Sequence, residues 1–360
     1  MVTYVDRKYR FFELFDEKTG FLLRSNVMEN NRETSTQPQA RSFPELIDIG
    51  IMGYCHCVKK PCKESGVDCY QNANRQKPNM GLSDYIWLVN QCKGATFQVA
   101  LGGAGDPNKH DDFEGILHHT RQMKIIPNLT TSGMALADSE IDLIKKYCGA
   151  VAVSLYSRLT RNCEESNAEN VHAISRLVEA GCTTNIHFVL SKKSISEAHK
   201  RVERGLFPKG TNAIVFLLYK PVGLGISEQM LSYTDEEYIS FLRLLDSKRH
   251  TFKFGFDTCQ APALHQYCDF ISSESIEACE AGRFSMYIDS ELNAYPCSFS
   301  IEECRTMISL RKHSIKEAWE SDVFMRFRDK AIKKCSHCDE VNCHNCPLAL
   351  GINVCGKLVG

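Results

Sequence analysis

The sequence has no apolar run approaching the roughly 20 residues that a membrane-spanning helix needs. Its amino terminus, MVTYVDRKYRFF, lacks the apolar core of a signal peptide. Both absences predict a cytoplasmic protein with no membrane partner. An excess of charge is missing too: 43 Lys and Arg stand against 44 Asp and Glu, a formal net charge of -1. That balance gives no footing for nucleic acid or an anionic membrane surface. What the chain has in quantity is cysteine, 18 in 360 residues. Disulfides are rare in a reducing compartment, so these thiols read better as metal ligands.

The organising stretch is PELIDIGIMGYCHCVKKPCKESGVDCYQ, residues 44–71. The apolar run Leu46 to Met52 predicts a buried strand of a parallel sheet. It ends at Gly53-Tyr54, and Cys55, Cys57, Cys62 and Cys69 follow. Pro61, Gly66 and the lysines mark the segment as loop rather than helix. A strand that delivers thiolates at its carboxyl end puts them where α/β folds bind ligands. Three such thiolates can hold three irons of a [4Fe–4S] cube and leave the fourth iron open. On this loop alone, zinc and disulfides stay as alternatives.

Residues 1–45 predict a small hairpin and connector. The turn signal Asp16 to Gly20 separates two apolar segments, and Asn30 to Arg41 reads as a flexible polar link. The hairpin either caps the main domain or docks a peptide by strand addition. From Leu46 onward strands are expected at 46–53, 96–101, 124–129, 150–155, 183–190 and 213–219. Helices are expected near 83–92, 112–122, 138–147, 167–180, 193–205 and 234–246, with Ser83 and Asp138 as N-caps. Gly149 and Gly181 sit where helices should stop. Six β-α units in succession predict an α/β fold, a parallel sheet curled into a full or partial barrel over residues 46–256. Its site should lie at the carboxyl ends of the strands. There the second strand runs into Gly102-Gly103-Ala104-Gly105-Asp106-Pro107, which is neither a dinucleotide fingerprint nor a P-loop. Ser154, Arg158, Arg161 and Lys220 follow later strands and are candidate ribose, carboxylate or substrate contacts, or plain strand-end and surface groups.

The last third, residues 257–360, raises the cysteine density. FSMYIDSELNAYPC predicts a hairpin around Asp289-Ser290-Glu291, and a helix is expected from Ser314 to Lys333. The terminal knot CSHCDEVNCHNCPLALGINVC holds five cysteines with little apolar material, so metal bonds must hold it together. Its tight spacing favours iron–sulfur clusters over zinc, although His337 and His344 keep zinc open.

Taken in order, these features resemble a radical S-adenosylmethionine enzyme with a carboxyl-terminal SPASM domain. The fold this implies is a partial (β/α)6 TIM-like barrel, a cysteine-rich iron–sulfur domain and a short amino-terminal β-hairpin extension. Cys55, Cys62 and Cys69, followed by the aromatic Tyr70, are similar to the family's cysteine motif, with six residues in each gap where the family usually has three and two; Cys57 is an extra candidate. Ala104, Gly105, Asp106 and Pro107 resemble the Gly-Gly-Glu-Pro turn that contacts the methionyl amino group, Ser154 stands at the ribose position, and Arg158 is a cofactor contact. Cys279, Cys297 and Cys346 would bind one auxiliary cluster, with a fourth ligand among Cys304, Cys268 and Cys259. Cys335, Cys338, Cys343 and Cys355 would bind the other. Leu292 stands where the family usually has a hairpin glycine.

The resemblance implies three [4Fe–4S] clusters and S-adenosylmethionine. It also implies reductive cleavage to a 5′-deoxyadenosyl radical, and hydrogen-atom abstraction from a ribosomally made precursor peptide to form a thioether or other crosslink. A ferredoxin or flavodoxin would supply electrons. Formylglycine maturation of the sulfatase type and peptide epimerisation are the alternatives within enzymes. A zinc-binding structural protein is the alternative outside them.

Overall fold

A run of apolar residues folds as a buried strand when both of its faces are covered, and the stretches after residue 45 do so in series. The computed structural model describes residues 1–57, 61–247, 249–272, 275–301, 306–333, 335, 343–344 and 346–359. The amino-terminal strands are β1 (Val2–Asp6), β2 (Phe11–Phe15) and β3 (Leu22–Arg24), then the short ribbon β4 (Met28–Glu29) and β5 (Arg32–Glu33). The barrel runs β6 (Leu46–Met52), α1 (Pro61–Glu64), α2 (Leu82–Asn90), β7 (Gln98–Gly103), α3 (Phe113–Gln122), β8 (Ile126–Thr131), α4 (Asp138–Tyr147) and β9 (Val151–Ser154). It continues through α5 (Ala168–Glu179), β10 (Thr184–Leu190), α6 (Ile195–Arg204), β11 (Ala213–Leu218), α7 (Glu236–Ser247) and β12 (Lys253–Phe256). The last part holds α8 (Ala261–Tyr267), β13 (Ser285–Ile288), β14 (Asn293–Tyr295), β15 (Ile308–Ser309), α9 (Ile315–Trp319) and α10 (Asp322–Ala331).

All six expected strands and six expected helices form, and the sheet adds a seventh parallel strand, β12, which is too short to stand out in the sequence. Strand order is β12-β11-β10-β9-β8-β7-β6-β13-β14-β15. Among the described residues the barrel does not close: β12 pairs with β11 alone, and the outer edge of β6 is taken by β13, in parallel register with Ser285 beside Leu46. One face of each barrel strand (Ile47, Ile49 and Ile51 on β6, for example) packs with Leu88, Ile116, Ile144, Ile174 and Phe241 of the helices in a single buried core. The other face of β6 turns Asp48 and Gly50 to the barrel interior.

Several local expectations need correction. Ser83 lies inside α2, whose N-cap is Gly81, and Asp138 is the first residue of α4 rather than its cap. There the Glu140 carboxylate accepts the Ala137 N–H at 2.7 Å, doing the work expected of Asp138. Gly181 does follow a helix, with φ +81°. The helix expected over 314–333 is two helices, because Ser321 caps a fresh start by accepting the Phe324 N–H. The loop between Cys57 and Cys69 contains one helical turn, α1.

The amino-terminal hairpin is β2–β3, extended by β1 into a three-stranded antiparallel sheet. Its connector is not loose. Arg41 is fully buried and donates to Glu13 Oε2 at 2.8 Å, to Phe43 O and to Ala95 O, with its guanidinium 3.6 Å from the Tyr4 ring. A polar composition predicted flexibility; a buried ion pair overrides it. Arg283 holds the same segment through Gln39 O and Pro38 O, and Trp319 Nε1 donates to Arg41 O. Replacing Arg41 with Met should destabilise the fold by about 3 kcal/mol, since it leaves the buried Glu13 carboxylate with only the longer contact to Arg24 at 3.5 Å. Denaturant unfolding reads the loss, and adding Glu13→Gln should recover much of it. Additive losses in the double variant would mean the pair is not the source.

Candidate active site

The cysteine loop begins where β6 stops, and the glycine turn begins where β7 stops, so adjacent parallel strands deliver both to one end of the sheet. They touch closely. Ala104 N donates to Met52 O at 2.8 Å. Gly103 sits at φ +122°, where a Cβ would overlap Met52 O, and a Cβ on Gly105 would lie 2.5 Å from Tyr54 O. The two turns thus form a cradle that side chains would fill.

Asp106 anchors that cradle. Its Oδ1 accepts from Ser132 N at 2.7 Å and its Oδ2 from Ser132 Oγ at 2.5 Å, which ties the β7 turn to the end of β8. His56 Nε2 lies 3.5 Å from Asp106 Oδ2. Pro107 opens a one-turn helix behind it. Cys57 Sγ lies 3.5 Å from His56 Nε2, 3.9 Å from Ser132 Oγ and 4.0 Å from Asp106 Oδ2. His56, Cys57 and Asp106 could by themselves hold a metal ion.

The other three thiols adjoin this group through Cys55. Burial raises the Cys62 thiol to about 11, with Cys69 and Cys55 acting in the same direction. A hydrogen bond from Cys57 draws Cys55 below the usual thiol range. Cys62 thus feels both Cys69 and Cys55, while Cys57 bridges from Cys55, its hydrogen-bond partner, to the His56 and Asp106 side of the site. Asp68 accepts from Tyr219 Oη at 2.6 Å, and Cys69 O accepts from Leu224 N, so the loop after β11 pins the third cysteine.

Ser154 ends β9, its carbonyl accepting from Asn170 Nδ2 at 3.0 Å. Arg158 is committed elsewhere: Nε donates to Ser65 O at 2.7 Å and Nη2 to Lys193 O at 3.2 Å, which secures the loop between Cys62 and Cys69. Arg161 is exposed. Tyr70 packs its ring 5.2 Å from that of Phe299, two residues beyond Cys297. Tyr156 was not foreseen. It follows Ser154 and its hydroxyl is raised by burial and by Cys62, Asp106 and Cys69, which places it at the thiol loop. Two positions past a strand end, a lone tyrosine carries no sequence signal.

Inside the barrel, Asp48 is pushed up to about 7 by burial and then by Glu280. The folded state therefore holds a proton here that the unfolded chain loses near pH 4, so this group's contribution to stability falls as pH rises from about 4 to about 7. Asp48→Asn should raise the melting temperature at pH 8 and leave it nearly unchanged at pH 4. Equal shifts at both pH values would remove Asp48 from this account.

A second group of thiols lies in the carboxyl-terminal part, joined to the first loop by the Tyr70–Phe299 contact. Cys259, just after β12, lines a cavity with Thr258, Ala278, Cys279, His344 and Cys346. Burial raises the Cys297 thiol, and Cys279 and Cys346 raise it further; Cys279 and Cys346 act likewise on Cys259. Cys268 instead points its thiol at Leu242 O, between helices. Cys304 and Cys338, like His337, lie outside the described residues. In the knot, Cys335 N donates to Cys343 O, and Cys335, Cys343 and Cys355 are all buried. The expected hairpin forms as β13–β14, its turn organised by Asp289, whose carboxylate accepts from Glu291 N and Asn293 N. Leu292 takes a left-handed φ of +64° there, the conformation a glycine adopts without cost.

Residues 279–347 match the SPASM family, an iron–sulfur cluster-binding domain. No curated protein matches the chain. Among solved structures, Streptococcus suis SuiB bound to S-adenosylmethionine is similar over 84% of this chain and 72% of its own, with TM-score 0.65 and 18% identity. SuiB bound to the precursor peptide SuiA is similar over 87% and 72%, with TM-score 0.63 and 16% identity. The anSMEcpe structure with bound AdoMet and Cp18Cys peptide covers 82% of this chain and 86% of that one, with TM-score 0.59 and 15% identity. Among the described residues no helix is long and apolar enough to cross a membrane.

Proposed function

We propose that this chain, which joins a SPASM iron–sulfur domain to the fold of the radical S-adenosylmethionine enzymes, is a peptide maturase. The observation that carries the reading is the pairing of the three-thiol loop with the glycine turn at the carboxyl ends of β6 and β7, joined by the Tyr70–Phe299 contact to a second group of thiols. When bound, a [4Fe–4S] cluster and S-adenosylmethionine supply reductive cleavage to a 5′-deoxyadenosyl radical, which removes a hydrogen atom from an unactivated C–H bond. Cys55, Cys62 and Cys69 would hold that cluster. Gly105 and the turn from Ala104 to Pro107 leave the close backbone approach a methionyl group needs, and Asp106 keeps the turn in place through Ser132. Ser154 ends β9 at the same end of the sheet, Tyr70 follows the third cysteine, and Arg158 acts one step removed by fixing the Ser65 carbonyl.

In the SPASM part, Cys259, Cys279, Cys297 and Cys346 would hold one auxiliary cluster. The cavity that Cys259 shares with Cys279 and Cys346 favours Cys259 over Cys268 as the fourth ligand, because Cys268 faces away into helix packing. Cys335, Cys338, Cys343 and Cys355 would hold the other. The substrate is a ribosomally made precursor peptide and the product a thioether or other intramolecular crosslink, with a ferredoxin or flavodoxin as electron donor. Peptide-bound structures with this fold support the substrate class.

Anaerobic reconstitution followed by iron, sulfide and zinc analysis tests the reading, with 5′-deoxyadenosine as the activity signal. About 12 irons per chain and reductant-dependent 5′-deoxyadenosine are expected. Cys259→Ser should lower the iron content or alter one auxiliary spectrum, and Cys268→Ser should change neither. Zinc without iron would leave a cysteine-rich binding protein instead. Peptide mass separates a crosslink, which loses hydrogen, from an epimer, which keeps its mass.

A further inference from the structure

Lys220 directly follows the buried Tyr219 at the end of β11 and is itself only 6% exposed. An ammonium is costly to bury, so its surroundings must compensate. Its Nζ donates to Leu218 O at 2.8 Å, pairs with the Asp257 carboxylate and lies 4.6 Å from the centre of the Phe299 ring. Asp257 is two residues before Cys259, and Phe299 is two residues after Cys297. The cation is therefore seated between the two chain segments that carry Cys259 and Cys297. The pair is not needed to close the sheet. Asp257 already accepts from Leu218 N at 3.0 Å, and Gln260 Nε2 donates to Phe216 O at 2.8 Å, bonds that hold β11 to the turn after β12 without the lysine.

We propose that Lys220 is a positioning residue for the auxiliary centre, a fixed buried positive charge that offsets a thiolate-bound cluster at Cys259 and Cys297 and sets its reduction potential. This rests on the reading of the pocket as a cluster site. A cluster on four thiolates is anionic, and adding an electron makes it more so. In a buried site a nearby cation stabilises the reduced form more than the oxidised one, which raises the potential, while Asp257 works the other way. Burial alone would lower the lysine's affinity for its proton, and the Asp257 carboxylate paired with it works against that loss.

The test is an EPR-monitored redox titration of the full chain, reconstituted anaerobically with iron and sulfide. Lys220→Met should keep its iron and shift one carboxyl-terminal cluster signal to lower potential. Lys220→Arg should restore it, and Asp257→Asn should shift the same signal upward. An unchanged midpoint in Lys220→Met with full iron overturns the inference. If Lys220→Met loses iron or fails to fold, the other two decide: a wild-type midpoint in Lys220→Arg with an upward shift in Asp257→Asn supports it, and no shift in Asp257→Asn overturns it. A wild-type chain whose pocket takes up no iron overturns the cluster reading, and the Lys220 inference falls with it.

Discussion

Cys69→Ala should abolish production of 5′-deoxyadenosine while leaving the carboxyl-terminal irons in place. The loss is chemical rather than structural, because the backbone around residue 69 is held by groups the substitution leaves alone. Leu224 donates to the residue 69 carbonyl, Tyr219 donates to Asp68, and Arg158 donates to Ser65 O. Removing one sulfur leaves two thiolates for a cube that needs three, so the first cluster should not assemble stably. The readouts are iron content, expected to fall by about four irons, and nucleoside product, expected to fall to background. Cleavage at the wild-type rate would show that Cys57, already close to Asp106 and His56, is the true third ligand or that the loop holds no cluster.

Gly103→Ala should be nearly as damaging, by a different route. At φ +122° an L side chain is strained, and here the new methyl would also overlap the backbone of Met52, which is held by Ala104 N on its own carbonyl and by Met80 N and Lys77 N on those of Ile51 and Gly53. The expected cost is roughly 3 kcal/mol or more of stability, or a displaced turn with the same effect on S-adenosylmethionine affinity. Thermal unfolding and equilibrium binding of S-adenosylmethionine separate the two. Wild-type values in both would mean that the turn is softer than its geometry implies.

The barrel was legible because its strands are continuous apolar runs and its helices have amphipathic faces with glycine stops, signals that depend on nearest neighbours in sequence. β12 escaped notice because Lys253 to Phe256 is four residues long with a glycine inside it, and only pairing with β11 makes it a strand. The buried state of Arg41 and Lys220 was equally hidden. Each is an ordinary basic residue until a carboxylate far away in sequence, Glu13 or Asp257, comes to meet it. At the candidate site, cysteine and glycine were visible as residue types. Which thiols gather was not, since Cys259 joins Cys279, Cys297 and Cys346 only after the chain has turned back past the barrel edge. Tyr156 and the Tyr70–Phe299 contact belong to the same category.

The parallel pairing of β6 with β13 bears on how the molecule is made. The strand that carries the first cysteine loop gains its second neighbour only when residues 285–288 arrive, some 240 positions later in the chain. On the ribosome, β6 would wait with one open edge while the rest of the barrel is synthesised, and contacts of such long sequence separation form late. An open strand edge is a site for mispairing with other chains. The carboxyl-terminal part thus acts as an edge protector for the strand that presents the first thiols. Truncating the chain before residue 285 should yield insoluble protein rather than a simpler enzyme, and metal loading of the first loop would belong to the finished polypeptide, after release.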